Sequence, residues 1–244
     1  MSVTLNLTEN DIFTAVRSYL LTVLPAGLEV VDGQDNRVPE PAGTDFVTMT
    51  PLLRERLETN VDGYADTAFV ASIAGSTMTV TSISLGSIAV GAQLLGNNLA
   101  ANSVVTALGT GEGGVGTYTI SPSQTVASQT IAAGTSTLMQ PIMATIQLDV
   151  HGPNSADNTQ IITTTWRDEY AVDQLALANS GFDIAPLYHS EPRQMPFENG
   201  EQQIEERWTF DLVLQANPIV TIPQQFAAQL EANLADVPSQ YPAS

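Results

Sequence analysis

Ile204-Glu205-Glu206-Arg207-Trp208-Thr209-Phe210-Asp211-Leu212-Val213-Leu214-Gln215 is the stretch on which the fold turns. Successive side chains of an extended chain point to opposite faces. Ile204, Glu206, Trp208, Phe210, Leu212 and Leu214 then share one face, and Glu205, Arg207, Thr209, Asp211, Val213 and Gln215 the other. That pattern predicts one long, half-buried strand. Asn199-Gly200 just before it is a dipeptide that closes tight hairpins, and Ile184–His189 is the expected partner strand.

A second alternation lies upstream. Ile142, Ala144, Ile146, Leu148 and Val150 interleave with Met143, Thr145, Gln147 and Asp149. Between the two strands, Pro153, Asn154 and Ser155 open a helical stretch to about Ala178. Gly181 is a terminator and Thr163-Thr164-Thr165 a candidate break. At the N-terminal end Thr8 caps a helix, with Asp11 in the capping-box position and Leu7 and Ile12 as a staple. Ile12, Ala15, Val16, Tyr19, Leu20 and Val23 form its buried stripe, and Pro25 and Gly27 stop it. Short strands at Leu28–Val31 and Phe46–Thr50 flank a polar loop from Asp32 to Asp45. A further extended stretch runs from Leu52 to Asn60. The fold class expected is α+β: an antiparallel sheet packed by helices. The tail from Pro223 to Leu234 can form a short helix with Phe226, Leu230 and Leu234 at i, i+4 and i+8.

The middle of the chain differs in composition. Of 71 residues from Thr67 to Thr137, only Glu112 is charged, while 10 of the 17 glycines and 22 Ser or Thr lie there. A flexible Gly/Ser linker lacks β-branched apolar runs, whereas this stretch has Met78–Ile83, Ile88–Val90, Ser103–Leu108 and Thr117–Ile120. Gly-containing turns separate them, at Leu85-Gly86, Leu95–Asn98 and Gly109–Gly114. The expectation is an inserted all-β domain at 67–137 within a discontinuous body of 1–66 plus 138–244, the latter ending in an arm.

Charge narrows the function. The 244 residues hold 26 acids against seven Arg and no Lys, a formal net charge of −19. Wrapping nucleic acid needs clustered cations, so this balance argues against it; the first reading of the charge is that it keeps the protein soluble, the second that an acidic wall lets a phosphate backbone slide past. Without Cys there is no disulfide, thiolate metal site or Cys nucleophile. Neither a signal peptide nor a membrane span is expected.

Several small constellations invite chemistry and fall short of it. His151 and His189 each end an expected strand without short ligand spacing, and a surface or interface role is expected for both. Asp32-Gly33-Gln34-Asp35-Asn36 lacks the alternating oxygens and closing Glu of a Ca²⁺ loop, so it reads as a polar turn. Gly109-Thr110-Gly111-Glu112-Gly113-Gly114 has no following Lys and opens no helix, so it is not a phosphate loop. Glu205 and Glu206 point to opposite faces and cannot share a substrate. No Ser sits in a nucleophile elbow. Catalytic, cofactor-binding and metal residues are therefore all assigned as none, and the protein is not expected to be an enzyme. Arg54 and Arg56 share one strand face with Glu55 opposite; seven Arg and no Lys fit cations used as fixed, bidentate interface contacts and equally fit a codon or host bias.

Two blocks of the chain resemble the phage neck-terminator and tail-terminator (tail completion) proteins. One is Ile12–Leu24 followed by Val30-Val31-Asp32-Gly33-Gln34-Asp35-Asn36-Arg37-Val38-Pro39 and Phe46-Val47-Thr48-Met49-Thr50-Pro51. The other is Ala144–Gly152, the helix after it, and Arg207-Trp208-Thr209-Phe210-Asp211-Leu212. The likeness covers roughly residues 8–64 and 138–216. Gly75 to Ile131 resembles a small module found inside many virion proteins, on Val90–Leu94, Thr106–Gly111 and Gly116–Ser121.

The resemblance implies a structural virion protein, assembled in the host cytoplasm. It implies a homohexameric ring that ends the tail tube and joins it to the head-side connector. Its partners would be copies of itself, tail tube and sheath protein, and the connector. Genomic DNA would cross the lumen without sequence-specific binding, and no membrane would be involved. It implies no catalytic residues. The alternative is an accessory virion protein that binds carbohydrate or a surface through the inserted module. With Phe69 and Tyr118 as its only aromatics, that module offers little for stacking on sugars.

Overall fold

A computed structural model describes residues 3–34, 41, 43–178, 184–198 and 204–224. Along the chain run β1 (Thr4–Leu5), α1 (Glu9–Val23), β2 (Glu29–Asp32), β3 (Phe46–Arg56), β4 (Val61–Leu85), β5 (Gln93–Leu95), β6 (Val104–Leu108), β7 (Gly116–Met139) and β8 (Ile142–His151). Then come α2 (Ser155–Trp166), α3 (Glu169–Ala178), β9 (Ile184–His189), β10 (Arg193–Gln194), β11 (Phe197–Glu198), β12 (Ile204–Glu205), β13 (Arg207–Ala216) and β14 (Ile219–Pro223). The chain is sheet-rich and its described residues divide into two compact units, one within 3–63 and 137–221, the other within 64–136 with 222–224. The division falls inside β4 and inside β7.

In the first unit the sheet order is β10-β13-β8-β3-β2, with β9 also on β13. β8 is the centre, antiparallel to β13 from Arg207↔His151 to Ala216↔Ile142 and to β3 from Phe46↔His151 to Arg56↔Ile142. The sheet is mixed rather than wholly antiparallel, because β2 runs parallel to β3. The parallel pairing requires the chain to regain the same end of the sheet between Asp32 and Phe46. β9 pairs with β13, as the alternation suggested. β13 begins at Arg207, however. Ile204 and Glu205 pair instead with Phe197 and Glu198, and Ile204 is 80% exposed rather than sharing the Phe210 face. Asn199-Gly200, Gly181 and the tail from 225 lie outside the described residues.

One apolar cluster joins the helices to this sheet. Ile12, Phe13, Val16, Tyr19 and Leu20 of α1, Ile162 and Trp166 of α2 and Leu175 of α3 pack with Val47, Met49, Ile146, Leu148, Phe210 and Leu212. Burying a side chain of this size contributes roughly 1.5–3 kcal/mol. The Thr8 hydroxyl accepts from Asp11 N–H while the Asp11 carboxylate accepts from Thr8 N–H at 2.7 Å, closing the capping box. Leu7 and Ile12 are both buried.

The helical stretch after β8 is two helices. It breaks at Arg167-Asp168 and not at the threonines. The Thr163 and Thr165 hydroxyls donate back to Thr159 O and Ile161 O, which satisfies them within the turn. Asp168 then accepts Tyr170 N–H at 3.0 Å and starts α3.

The second unit has its own core of Phe69, Ile73, Met78, Val80, Ile88, Leu94, Tyr118, Ile120 and Ile131. β7 pairs with β4, β5 and β6. Thr81 Oγ1 donates to Val70 O and Ser84 Oγ to Ala68 O. Eleven residues of straight strand span roughly 36 Å, so β4 must fold back on itself, about Gly75, whose φ is +66°. Ile88-Ala89-Val90, expected as a strand, is a loop. Its Ile88 is buried and its N–H donates to Gly113 O.

Candidate interaction surface

The distal half of β3 departs from the pattern set by its proximal half. Up to Pro51 its side chains alternate between the helix-covered face and the other. The register with β8 then shifts between Pro51, opposite Ile146, and Leu53, opposite Thr145. Leu52 is the extra residue of this bulge. Pro51 has no N–H to give to the ladder, which suits it to such a position. Beyond the bulge Arg54 stands opposite Ala144 and Arg56 opposite Ile142. Both thus lie on the face that carries the core, past the end of the packed helices.

Leu52, Leu53 and Leu57 are each about half exposed, at 50%, 51% and 45%. The Arg54 guanidinium reaches Glu9 of α1 at 3.0 Å. Arg56 is fixed by its own loop, donating to Glu58 O at 2.8 Å and Asn60 Oδ1 at 3.0 Å. Both arginines line a cleft of about 370 Å³ whose other walls include Leu5, Leu7, Ile142 and Val220. β1 and β14 supply two of those walls, because Leu5 pairs with Val220.

The expected pairing of Arg54 and Arg56 on one face therefore holds. Reading the sequence missed the bulge that exposes the leucines, for which Pro51 inside an apolar run was the signal. Glu9 as partner of Arg54 left no sequence signal.

The two histidines are not brought together. His151 stands opposite Arg207 and His189 opposite Leu212, five residues or roughly 17 Å apart along β13. That separation excludes a shared metal ion. Among the described residues no group of three or more His, Asp or Glu is placed to hold one.

Of the surface or interface role expected for His151, the surface part is not met. The residue is 6% exposed and stacks on Phe46 with centroids 4.3 Å apart and planes 7° from parallel. Burial holds its pKa below the usual 6.5, Arg207 adds to this, and Asp149 and Glu205 oppose it. Asp149, also buried, accepts from Thr209 Oγ1 at 2.5 Å and Gln147 Nε2 at 3.0 Å, with Arg207 Nε at 3.8 Å. These groups form a polar network on one sheet face. His189 is half-buried, with its Nδ1 2.9 Å from Ser190 O.

Gln34 N–H donates to Asp32 Oδ1 at 3.0 Å, an Asx-type turn. Asp35 and Asn36 lie outside the described residues. Gly109–Gly114 forms a turn held by the Tyr118 hydroxyl on Gly114 O. Glu205 sits in β12, while Glu206 follows it and accepts Gly152 N–H at its carbonyl. No described helix is long and apolar enough to cross a membrane.

A family model described as phage neck terminator protein matches residues 109–237, just over half of the chain. The match takes in β8 to β14, the end of the second unit's strands and most of the tail. No curated protein matches the chain.

Proposed function

Because this chain belongs to the phage neck terminator family, we propose that it acts as a ring, closing the tail at the neck and joining it to the head-side connector. A phage neck protein is a component of the virion. In this reading the chain is made in the host cytoplasm, assembles as a homohexamer and lets DNA cross its lumen. It performs no catalysis. In this reading the body of 1–66 plus 138–244 makes the ring, and the inserted 67–137 domain is not needed for it.

The observation that carries this reading is the exposed end of β3. Half-exposed Leu52 and Leu53 and two of the seven cations, Arg54 and Arg56, lie there on strand backbone, with Leu53 and the arginines on opposite faces, and half-exposed Leu57 follows the strand end. Apolar groups flanked by Arg are what protein interfaces concentrate. A net charge of −19 also suits a wall past which a polyanion slides without sticking.

Native mass spectrometry and negative-stain images of the full chain, free and bound to tails, test the proposal. The expected result is a closed oligomer that Leu53→Asp disrupts while the thermal transition stays put. A chain that remains monomeric in solution and on tails, or is absent from particles, refutes it.

A further inference from the structure

The cleft beside β3 is largely apolar, yet two arginines stand at it in a chain with an excess of acids. Its apolar wall includes Leu5, half exposed, together with Leu7, Ile142 and Val220. Arg56 is already oriented by Glu58 O and Asn60. Among the described residues the ion pair of Arg54 is with the exposed Glu9, and exposed pairs of this kind are weak, so another carboxylate can replace it. The occupant this site fits is an acidic segment with an apolar stripe.

The chain carries one such segment. Residues 225–244 hold Phe226, Leu230 and Leu234 at i, i+4 and i+8, the acids Glu231 and Asp236, and no cation. The family match extends to residue 237 and so includes all five. Twenty residues reach up to about 66–72 Å when extended, far enough to leave the protomer that carries them. A ring of identical subunits needs two different, complementary surfaces on each copy.

Resting on the ring reading above, we infer that residues 225–237 of one protomer occupy the Arg54–Arg56 cleft of the next. Phe226, Leu230 and Leu234 meet the apolar wall, and Glu231 and Asp236 approach the two guanidinium groups.

The test uses full-length protein in its assembled form. Isotopically heavy chains carry p-benzoylphenylalanine at position 226, where one aromatic ring replaces another, and are co-assembled with light chains lacking it. Irradiation should join heavy residue 226 to light peptides containing Leu5–Leu7, Arg54–Arg56 or Ile142. Arg56→Glu in the light chains should lower that yield at least fivefold, and Arg193→Glu should not. Adducts confined to single chains, adducts on other surfaces, or an oligomer that gives none overturn the inference and leave the ring intact. A chain that native mass spectrometry finds monomeric in every state overturns the ring and this inference together.

Discussion

The imidazole of His151 lies flat on the ring of Phe46, 4.3 Å away and nearly parallel, at the shared end of β3 and β8. Burial favours the neutral ring, Arg207 adds to this, and Asp149 and Glu205 oppose it. Its folded pKa therefore lies below the unfolded value of 6.5, and the unfolded chain binds more protons between the two values. Stability from this group is fully present above about pH 7 and is lost as pH falls through 6.5 toward the folded pKa. Urea midpoints at pH 7.5 and pH 5.5 should drop more for the native protein than for His151→Phe. Equal drops in both would dismiss the effect.

Tyr19 and Trp166 meet edge-on at 5.2 Å, and each is anchored by a hydrogen bond. The Tyr19 hydroxyl pairs with Thr165 Oγ1 at 2.7 Å, and burial pushes its pKa up to about 12. Trp166 Nε1 donates to Tyr188 O at 3.1 Å. Tyr19→Phe should cost about 1 kcal/mol. Trp166→Ala should cost about 3–5 kcal/mol through the cavity it leaves. Chemical denaturation at pH 7.5 measures both, and a Trp166→Ala loss below that of Tyr19→Phe would contradict the packing described.

Gly86 has φ +67°, and a Cβ there would lie 2.2 Å from Asp66 O. Gly86→Ala therefore combines a left-handed conformation with a backbone clash, for a cost of at least about 2 kcal/mol. Hydrogen exchange should accelerate across residues 64–136. Unchanged protection there would mean that the turn relaxes freely.

A Cβ on Gly63 would sit 2.6 Å from Thr137 Oγ1, so the chain crosses residues 63 and 137 side by side. Residues this close in space can be bridged by a two-residue Asn-Gly turn. Replacing 64–136 by that turn should leave the remaining helices folded, judged by far-UV circular dichroism and by near-UV bands of Trp166 and Trp208. Oligomers should still form in native mass spectrometry. Loss of the near-UV bands would mean that the excised residues are needed for folding.

Local chemistry was readable wherever one period governed a stretch. The capping box of Thr8 and Asp11, the stripe of α1 and the alternation of β8 follow directly from spacing. What escaped depends on partners distant in sequence. Phe13 is buried beside the stripe because α1 meets other elements on a wider face than six residues suggested. Ile204 continues the alternation of β13 but turns out to solvent, because Phe197–Glu198 captures it in a separate hairpin. Val213 is buried although it belongs to the polar set of its strand. At the interaction surface the two arginines were visible as a same-face pair. The leucines beside them were not, since a single bulge at Leu52 inverts which face each following residue takes.

The sheet built around β8 joins strands drawn from residues 29 to 216, and Thr4–Leu5 is held by Ile219–Pro223. A chain emerging from the ribosome cannot complete this body until nearly all of it has been synthesised. The walls that Leu5 and Val220 give to the cleft are therefore among the last features to form. A truncated or stalled product lacks them, and such a product has no finished seat to offer a neighbour.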